Sequence, residues 1–118
     1  MTVRDIYILG AAMVGDREND DRDERDFSVP YMNILLQEAF NCENSMRERD
    51  GQSLLLTAPI ISSIDDEVPY HDELVRAAMP YGLAWKYQQE AGNNGLASQY
   101  RNMFIDAVNR NYCFCVRK

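Results

Sequence analysis

Residues 70–110 decide the fold, and they read YHDELVRAAMPYGLAWKYQQEAGNNGLASQYRNMFIDAVNR. Apolar residues recur at helical spacing on both sides of a Gly/Asn turn at residues 92–95, which predicts helices over 70–91 and 95–110. Because the turn is so short, the two helices should form an antiparallel αα-hairpin. The second helix has the clearest amphipathic pattern in the chain, through Leu96, Tyr100, Met103, Phe104, Ala107 and Val108.

Pro80 lies inside the first helix of this hairpin. An internal proline removes a backbone hydrogen bond and its ring clashes with the preceding turn, so a kink or a break is expected over residues 77–80. Gly82 has no Cβ and is expected to let another backbone approach closely. The acidic run at residues 65–67 precedes the helix, where it should interact favourably with the positive end of the helix dipole.

A further helix is predicted over residues 2–15. Thr2 and Asp5 have the spacing of a capping box, and Gly15 is a typical stop. Apolar residues cover more than one side of this segment, so the helix is expected to be largely buried.

The fourth predicted helix covers residues 28–46. Ser28 is a favourable cap, and Pro30 is tolerated in a first helical turn. Met32, Leu36 and Phe40 widen the apolar side of this helix. The central stripe of that side is expected to run through Tyr31, Ile34, Leu35, Glu38, Ala39 and Cys42.

Other segments are expected to lie outside helices. Residues 16–26, DRENDDRDERD, hold seven carboxylates and three arginines and no apolar residue, which predicts a charged loop. Residues 53–64, SLLLTAPIISSI, are expected to form a short edge strand or a tucked loop, because Pro59 cannot donate to a central ladder. The extended C-terminal tail, residues 111–118, alternates in polarity at its start and could pair with residues 54–61 as a small two-stranded sheet.

Together these elements predict a mainly α protein with one four-helix bundle-like domain over residues 1–118. That length suits one domain and can bury a core without metal or disulfide staples. The net charge of −7, from 12 Lys and Arg against 19 Asp and Glu, argues against a protein that wraps tightly around nucleic acid. The longest apolar stretch, residues 6–15, is too short to span a bilayer.

The titratable residues form no recognisable catalytic, cofactor or metal motif, so no such site residue is predicted. The single histidine, His71, is adjacent to Asp72, and neighbouring residues on a helix do not face each other. We therefore interpret His71 as a helix-start or surface residue. Cys42, Cys113 and Cys115 have neither zinc nor C-x-x-C redox spacing, and they are interpreted as reduced thiols that act as small apolar residues.

Residues 54–108 also follow a recognisable order. A Leu/Ile-rich extended segment leads into IDDEVPYHDELV at residues 64–75 and RAAMPYGLA at residues 76–84, and after a Gly/Asn turn comes ASQYRNMF at residues 97–104. This order resembles that of small structural proteins from the neck of tailed phages and prophages, the head–tail connector or adaptor family. The start of the chain, TVRDI at residues 2–6, resembles their first helix.

The resemblance implies a helical protein without chemistry of its own. Such proteins form homo-oligomeric rings below the portal and bridge it to tail or head-closure proteins around the DNA channel. The implied location is the host bacterial cytoplasm during assembly and the virion neck afterwards. Some apolar residues should then be covered by a neighbouring subunit, and the candidates are Tyr7, Ile8, Met32, Leu36, Tyr112 and Phe114.

The residues leave other functions open. A soluble helical interaction module or regulator would have the same composition, and it predicts a peptide or small protein bound in a groove beside Pro80. An enzyme would depend on His71, the only histidine.

Overall fold

The computed structural model describes residues 1–13 and 22–112, with side chains from residue 27 onward in the second range. These residues form helices and no strand, which confirms the mainly helical, bundle-like prediction. None of the described helices is long and apolar enough to cross a membrane. The helices are α1 (Val3–Met13), α2 (Arg22–Glu38), α3 (Phe40–Arg49), α4 (Asp72–Glu90) and α5 (Asn94–Asn111).

Helix α4 is the centre of the bundle. It packs against α1, α2 and α5, and eleven of its nineteen residues are buried. Helices α4 and α5 form the predicted hairpin, in which the Trp85 and Phe104 rings lie 6.0 Å apart. Gly92 turns the chain between them with φ of +84°, a conformation that glycine adopts without a steric penalty.

Pro80 does not interrupt α4, so the expected break is absent, and a bend there stays a prediction. The close backbone approach occurs at Gly10 of α1 rather than at Gly82, because a Cβ on Gly10 would lie 3.2 Å from the Pro80 carbonyl oxygen. A Cβ on Gly82 would instead meet side chains, at 2.7 Å from a Leu35 methyl group and 3.0 Å from the Phe104 ring. Pro80 is buried beside α1, and the groove that the sequence suggests beside this proline stays a prediction.

Helix α1 begins with the predicted capping box. The Thr2 hydroxyl accepts a hydrogen bond from the Asp5 N–H at 3.1 Å, and the Asp5 carboxylate accepts one from the Thr2 N–H at 3.1 Å. Two of the otherwise unpaired N–H groups at the helix start are thereby satisfied. The predicted stop at Gly15 lies outside the described residues.

Helix α2 begins earlier than the sequence predicts. Its backbone is helical from Arg22, so residues 22–26 of the predicted acidic loop belong to the helix, and residues 16–21 lie outside the described residues. Charged residues such as Arg and Glu have good helix propensity, which the loop prediction neglected. Ser28 is therefore inside the helix rather than a cap, and its buried Oγ lies 2.7 Å from the hydroxyl of Tyr87.

The single helix predicted over residues 28–46 is divided at Ala39 into α2 and α3. Backbone hydrogen bonds continue across the division, from Ala39 N–H to the Leu35 carbonyl and from Glu43 N–H to the Ala39 carbonyl, each at 3.0 Å. The two helices therefore act as one rod of a four-rod bundle.

The buried side of this rod is rotated from the predicted stripe. Ile34 and Glu38 are exposed and Tyr31 is half-buried, because the side facing α4 lies along Ser28, Met32, Leu35 and Leu36. Cys42 is a buried free cysteine, as predicted, and its Sγ lies 3.3 Å from the Val108 carbonyl oxygen of α5. Cys113 and Cys115 lie outside the described residues.

Half of the residues predicted to need a covering neighbour lie instead in the chain's own core: Tyr7, Met32 and Leu36. Ile8 and Tyr112 are partly buried against that core, and Phe114 lies outside the described residues. The prediction was wrong because it underestimated how completely α4 is surrounded. Among the described residues, the large apolar side chains that are exposed are Leu9, Met13, Phe27, Ile34, Leu54, Leu56, Ile60, Leu96 and Met103.

The connection between α3 and α4, residues 50–71, is not a sheet. Residues 54–61 have no strand partner among the described residues, and most of the segment predicted to pair with them, residues 113–116, lies beyond that part of the chain. An isolated bridge joins Thr2 and Glu67.

The acidic run at residues 65–67 meets the start of α1 rather than that of α4. The Asp66 carbonyl accepts the Val3 N–H at 3.1 Å, and the Arg4 guanidinium donates to the Asp65 carboxylate at 2.9 Å. The sequence predicts that these acids lie at the start of α4. In the structure the chain passes the start of α1 before it reaches α4.

Candidate functional site

The Glu43 carboxylate on α3 is a fully buried charge, with 0% of the residue exposed. It accepts hydrogen bonds from the Arg47 Nε at 2.7 Å and from the His71 backbone N–H at 2.7 Å. Arg47 also donates to the backbone carbonyls of Ser53 and Pro69. Burial of a charge is costly unless it is paired and hydrogen-bonded, and Glu43 satisfies both conditions.

The His71 ring completes this cluster, because each of its nitrogens faces a carboxylate. Nδ1 lies 3.0 and 3.1 Å from the two oxygens of Glu43, and Nε2 lies 2.7 Å from Asp50. Both nitrogens can donate only when the imidazole carries its second proton. Glu43, Arg47, Asp50 and His71 are called the clamp below, since they join the end of α3 to the start of α4.

The clamp favours the charged form of its histidine. Burial of the ring opposes protonation, but the hydrogen bonds to Glu43 and Asp50 outweigh it, so the pKa of His71 is raised above its ordinary value of 6.5. Arg49 and then His71 hold the pKa of the Asp50 carboxyl below its ordinary range. Beside the clamp, burial raises the pKa of the Tyr70 hydroxyl, which donates to the Leu36 carbonyl at 2.5 Å.

A small open cavity of about 160 Å³ lies against the clamp, lined by Glu43, Arg47, Gln52, Pro69, Tyr70 and His71. A general base needs a nitrogen free to accept a proton from the substrate, and both nitrogens of His71 are engaged by carboxylates. Asp72, the partner considered in the sequence, instead pairs with Arg76 at 2.6 Å. In the described ranges, no group of three His, Cys, Asp or Glu side chains is arranged to hold a metal ion.

The sequence interpretation of His71 as a helix-start residue is correct in position, since His71 occupies the N-cap position of α4, although its side chain forms no cap hydrogen bond there. It missed Glu43 and Asp50 as the ring's partners. Glu43 could have been found, because it lies four residues after Ala39 and three before Met46 and therefore shares their buried face. Asp50 carried no such signal, since it lies beyond the helix in a turn.

A second feature is the stretch of residues 53–61, called the display segment below, which lies along the α2–α3 rod. Asn33 donates from its amide to the Ile61 carbonyl at 3.1 Å and accepts the Ile61 N–H at 2.7 Å. Asn44 does the same with Leu55, at 3.0 and 2.9 Å. Each side-chain amide therefore replaces one residue of a partner strand and fixes the segment at two points.

The display segment presents apolar side chains to solvent. Leu56 is 95% exposed and Ile60 is 81% exposed, and Leu54 is 52% exposed. Ile61, by contrast, is 5% exposed and packs in the core. Between the two tethers, the backbone of residues 56–60 forms no hydrogen bond with the described part of the chain. The segment thus combines apolar side chains and unpaired backbone groups on a fixed support.

Comparison with known proteins adds no assignment: no family model, no curated protein and no solved structure matches this chain. The clamp and the display segment are therefore the features from which a function can be argued.

Proposed function

We propose that this chain is a non-enzymatic structural subunit of a phage or prophage particle, which forms a homo-oligomeric ring at the head–tail junction. In this role it connects the portal protein to tail or head-closure proteins. The observation that carries the proposal is the display segment, whose Leu54, Leu56 and Ile60 face solvent. The phage context rests on the resemblance of residues 54–108 to the connector or adaptor family.

The display segment suits a protein that docks on other proteins. Exposed apolar side chains contribute nothing to the stability of the monomer, whereas their burial by a partner stabilises a complex by about 25 cal/mol per Å². Clustered exposed apolar residues with polar residues around them are typical of protein interaction sites. Because Asn33 and Asn44 already hold the backbone, little conformational entropy is lost when a partner binds.

The clamp supports the non-enzymatic part of the proposal. Glu43 and Asp50 occupy both nitrogens of His71, so the histidine joins two helices rather than serving a substrate. The proposed places of action are the host bacterial cytoplasm during assembly and then the virion neck, with no membrane and no sequence-specific nucleic acid as partner.

The test is binding to the portal protein encoded in the same genome. The purified chain should bind the assembled portal and appear in electron micrographs as a ring on it. Replacement of Leu56 and Ile60 by Asp should prevent formation of this ring, whereas Leu96→Asp, which changes an exposed leucine of α5, should leave it intact. A chain that neither binds a portal nor forms oligomers at any concentration contradicts the proposal.

The second candidate is a soluble helical interaction module or regulator without enzymatic activity. The same display segment favours it, because its exposed apolar residues fit a partner from outside a phage equally well. The genes that flank this one distinguish the two candidates: a portal or capsid gene supports the structural subunit, and its absence supports the regulator.

A further inference from the structure

A second exposed surface lies on the other flank of the α2–α3 rod. Phe27, Tyr31 and Ile34 follow each other at i, i+4 and i+7 and therefore share one face of α2. Phe27 is 47% exposed and Ile34 is 42% exposed, and the Phe27 and Tyr31 rings lie 6.2 Å apart. This stripe is apolar and has no covering helix among the described elements.

Two cationic side chains, Lys86 and Arg101, lie beside this stripe. The Lys86 ammonium is 4.0 Å and the Arg101 guanidinium 5.6 Å from the centre of the Trp85 ring. The Tyr31 hydroxyl donates to Glu90, which lies one helical turn from Lys86, so the stripe and the cations adjoin. Within the described part of the chain, Lys86 and Arg101 form no ion pair, whereas ion pairs are formed by the other described Lys and Arg side chains: Arg4, Arg47, Arg49, Arg76 and Arg110.

We call this surface, formed by Phe27, Tyr31, Ile34, Lys86 and Arg101, the α2–α5 face. Its chemistry is complementary to that of the display segment. Both present apolar side chains, but the display segment leads into the acidic run at residues 65–67, which holds three carboxylates and no cation. The exposed carboxylates of Asp65 and Glu67 pair with Arg4 at 2.9 Å and with the N-terminal ammonium at 3.2 Å. Apolar contact and opposite charge are the two elements of a specific interface.

One molecule cannot join its own two surfaces. Asn33 faces the display segment, and Ile34, the next residue, is turned from it by about 100° around the helix axis. The tethers at Asn33 and Asn44 fix the display segment on its own side of the rod. A contact between the two surfaces therefore requires a second copy of the chain.

We propose that copies of this chain associate through a heterologous contact, in which the display segment of one copy docks on the α2–α5 face of the next. Heterologous contacts form closed rings when the rotation between copies closes, and open chains when it does not. The inference rests on the homo-oligomer of the proposed function and supplies its interface.

The experiment uses two full-length variants, each with one surface broken. Leu56→Asp with Ile60→Asp breaks the display segment, and Lys86→Glu with Arg101→Glu breaks the α2–α5 face. Association is measured by analytical ultracentrifugation up to about 1 mM, a limit that detects even weak contacts. Circular dichroism and thermal unfolding show that each variant is folded. Leu96→Asp and Arg110→Glu are matched controls, because they change exposed residues of α5 outside the proposed interface.

Each double variant alone should associate at least about tenfold more weakly than the unmodified chain, a change of about 1.4 kcal/mol. A mixture of the two should form a dimer and nothing larger, because one intact surface remains on each partner. The controls should associate like the unmodified chain. Association of the unmodified chain should also weaken as salt screens the charges.

Three results would overturn the inference: an unmodified chain that stays monomeric at about 1 mM, double variants that associate normally, or a mixture that yields no dimer. Failure here is distinct from failure of the proposed function. A chain that binds the portal as a ring while its mixed variants form no dimer keeps the function and loses this interface. A mixture that dimerises while the portal is not bound keeps the interface and loses the phage role.

Discussion

The two ends of the connection between α3 and α4 differ in the side chains that they bury. At residues 69–71 the chain turns polar groups inward, and His71 meets the buried carboxylate of Glu43. In the display segment the chain turns apolar groups outward, and Leu56 and Ile60 are almost fully exposed. The difference shows that in this connection the available hydrogen-bond partners on α2 and α3 decide the path of the chain. Hydropathy alone predicts the opposite, with the apolar display segment buried and the polar end exposed.

Of the changes proposed here, Glu43→Ala should destabilise the polar end of the connection most. It leaves Arg47 and His71 without their shared carboxylate in a largely buried site, so the free energy of unfolding should fall by about 3–5 kcal/mol. Denaturant unfolding measures this loss. Glu48→Ala, an exposed change on the same helix, should stay within about 0.5 kcal/mol. A loss below about 1 kcal/mol for Glu43→Ala would show that the clamp does not hold the fold together.

Two neighbouring isoleucines test where the exposed part of the connection ends and its buried part begins. Ile61 is 5% exposed and Ile60 is 81% exposed. Ile61→Ala should lower the free energy of unfolding by about 2–3 kcal/mol, because it opens a cavity in the core. Ile60→Ala should change it by less than about 0.5 kcal/mol. Equal losses in thermal or denaturant unfolding would mean that the segment buries both residues.

The tethers of the display segment are tested by Asn33→Ala. The change leaves the backbone N–H and carbonyl of Ile61 without partners in a partly buried place, at a cost of about 1–2 kcal/mol. Hydrogen exchange at the Ile61 amide should accelerate more than exchange in α4. Asn41→Ala is the matched control, since Asn41 lies exposed on the same rod. Unchanged exchange at Ile61 would show that Asn33 does not hold this end of the segment.

The smallest effect concerns the charge of the clamp. Because the pKa of His71 is raised in the folded protein, protonation stabilises the fold, and that contribution is complete below the unfolded pKa of about 6.5. It is lost as the pH rises through the raised folded value. The free energy of unfolding should therefore decline above neutral pH. His71→Gln should remove this decline, and a decline of equal size in that variant would assign it to other groups.

The helices were largely predictable from the sequence, and the directions of their buried faces were not. The α4–α5 hairpin and the α1 cap follow from local signals, namely helical periodicity, the glycine turn and the Thr2–Asp5 spacing. The buried face of α2 depends on where α4 lies, and no local sequence pattern predicts that position. This is why Met32 and Leu36 were placed on the surface although both are fully buried.

The clamp and the display segment could not be predicted from the sequence, for a related reason. His71 and Glu43 are 28 residues apart, and Asn33 is as far from Ile61, so no spacing rule connects either pair. The Leu/Ile-rich composition of residues 53–64 predicts an extended and buried chain, but these residues form no strand and bend at Leu56 and Thr57. The exposure of Leu56 results from the two asparagines that hold the opposite side of that chain.

The asparagine tethers also bear on solubility. An extended segment rich in Leu and Ile, with free backbone groups, is a hazard for fibrillar aggregation, and the stretches that form such fibrils are six or seven residues long. Between the tethers at Leu55 and Ile61 lie five residues whose backbone forms no hydrogen bond with the described part of the chain. Pro59 within that stretch has no N–H to offer a growing sheet. The same two amides that present the apolar side chains to a partner thus keep the segment too short and too interrupted to stack on itself.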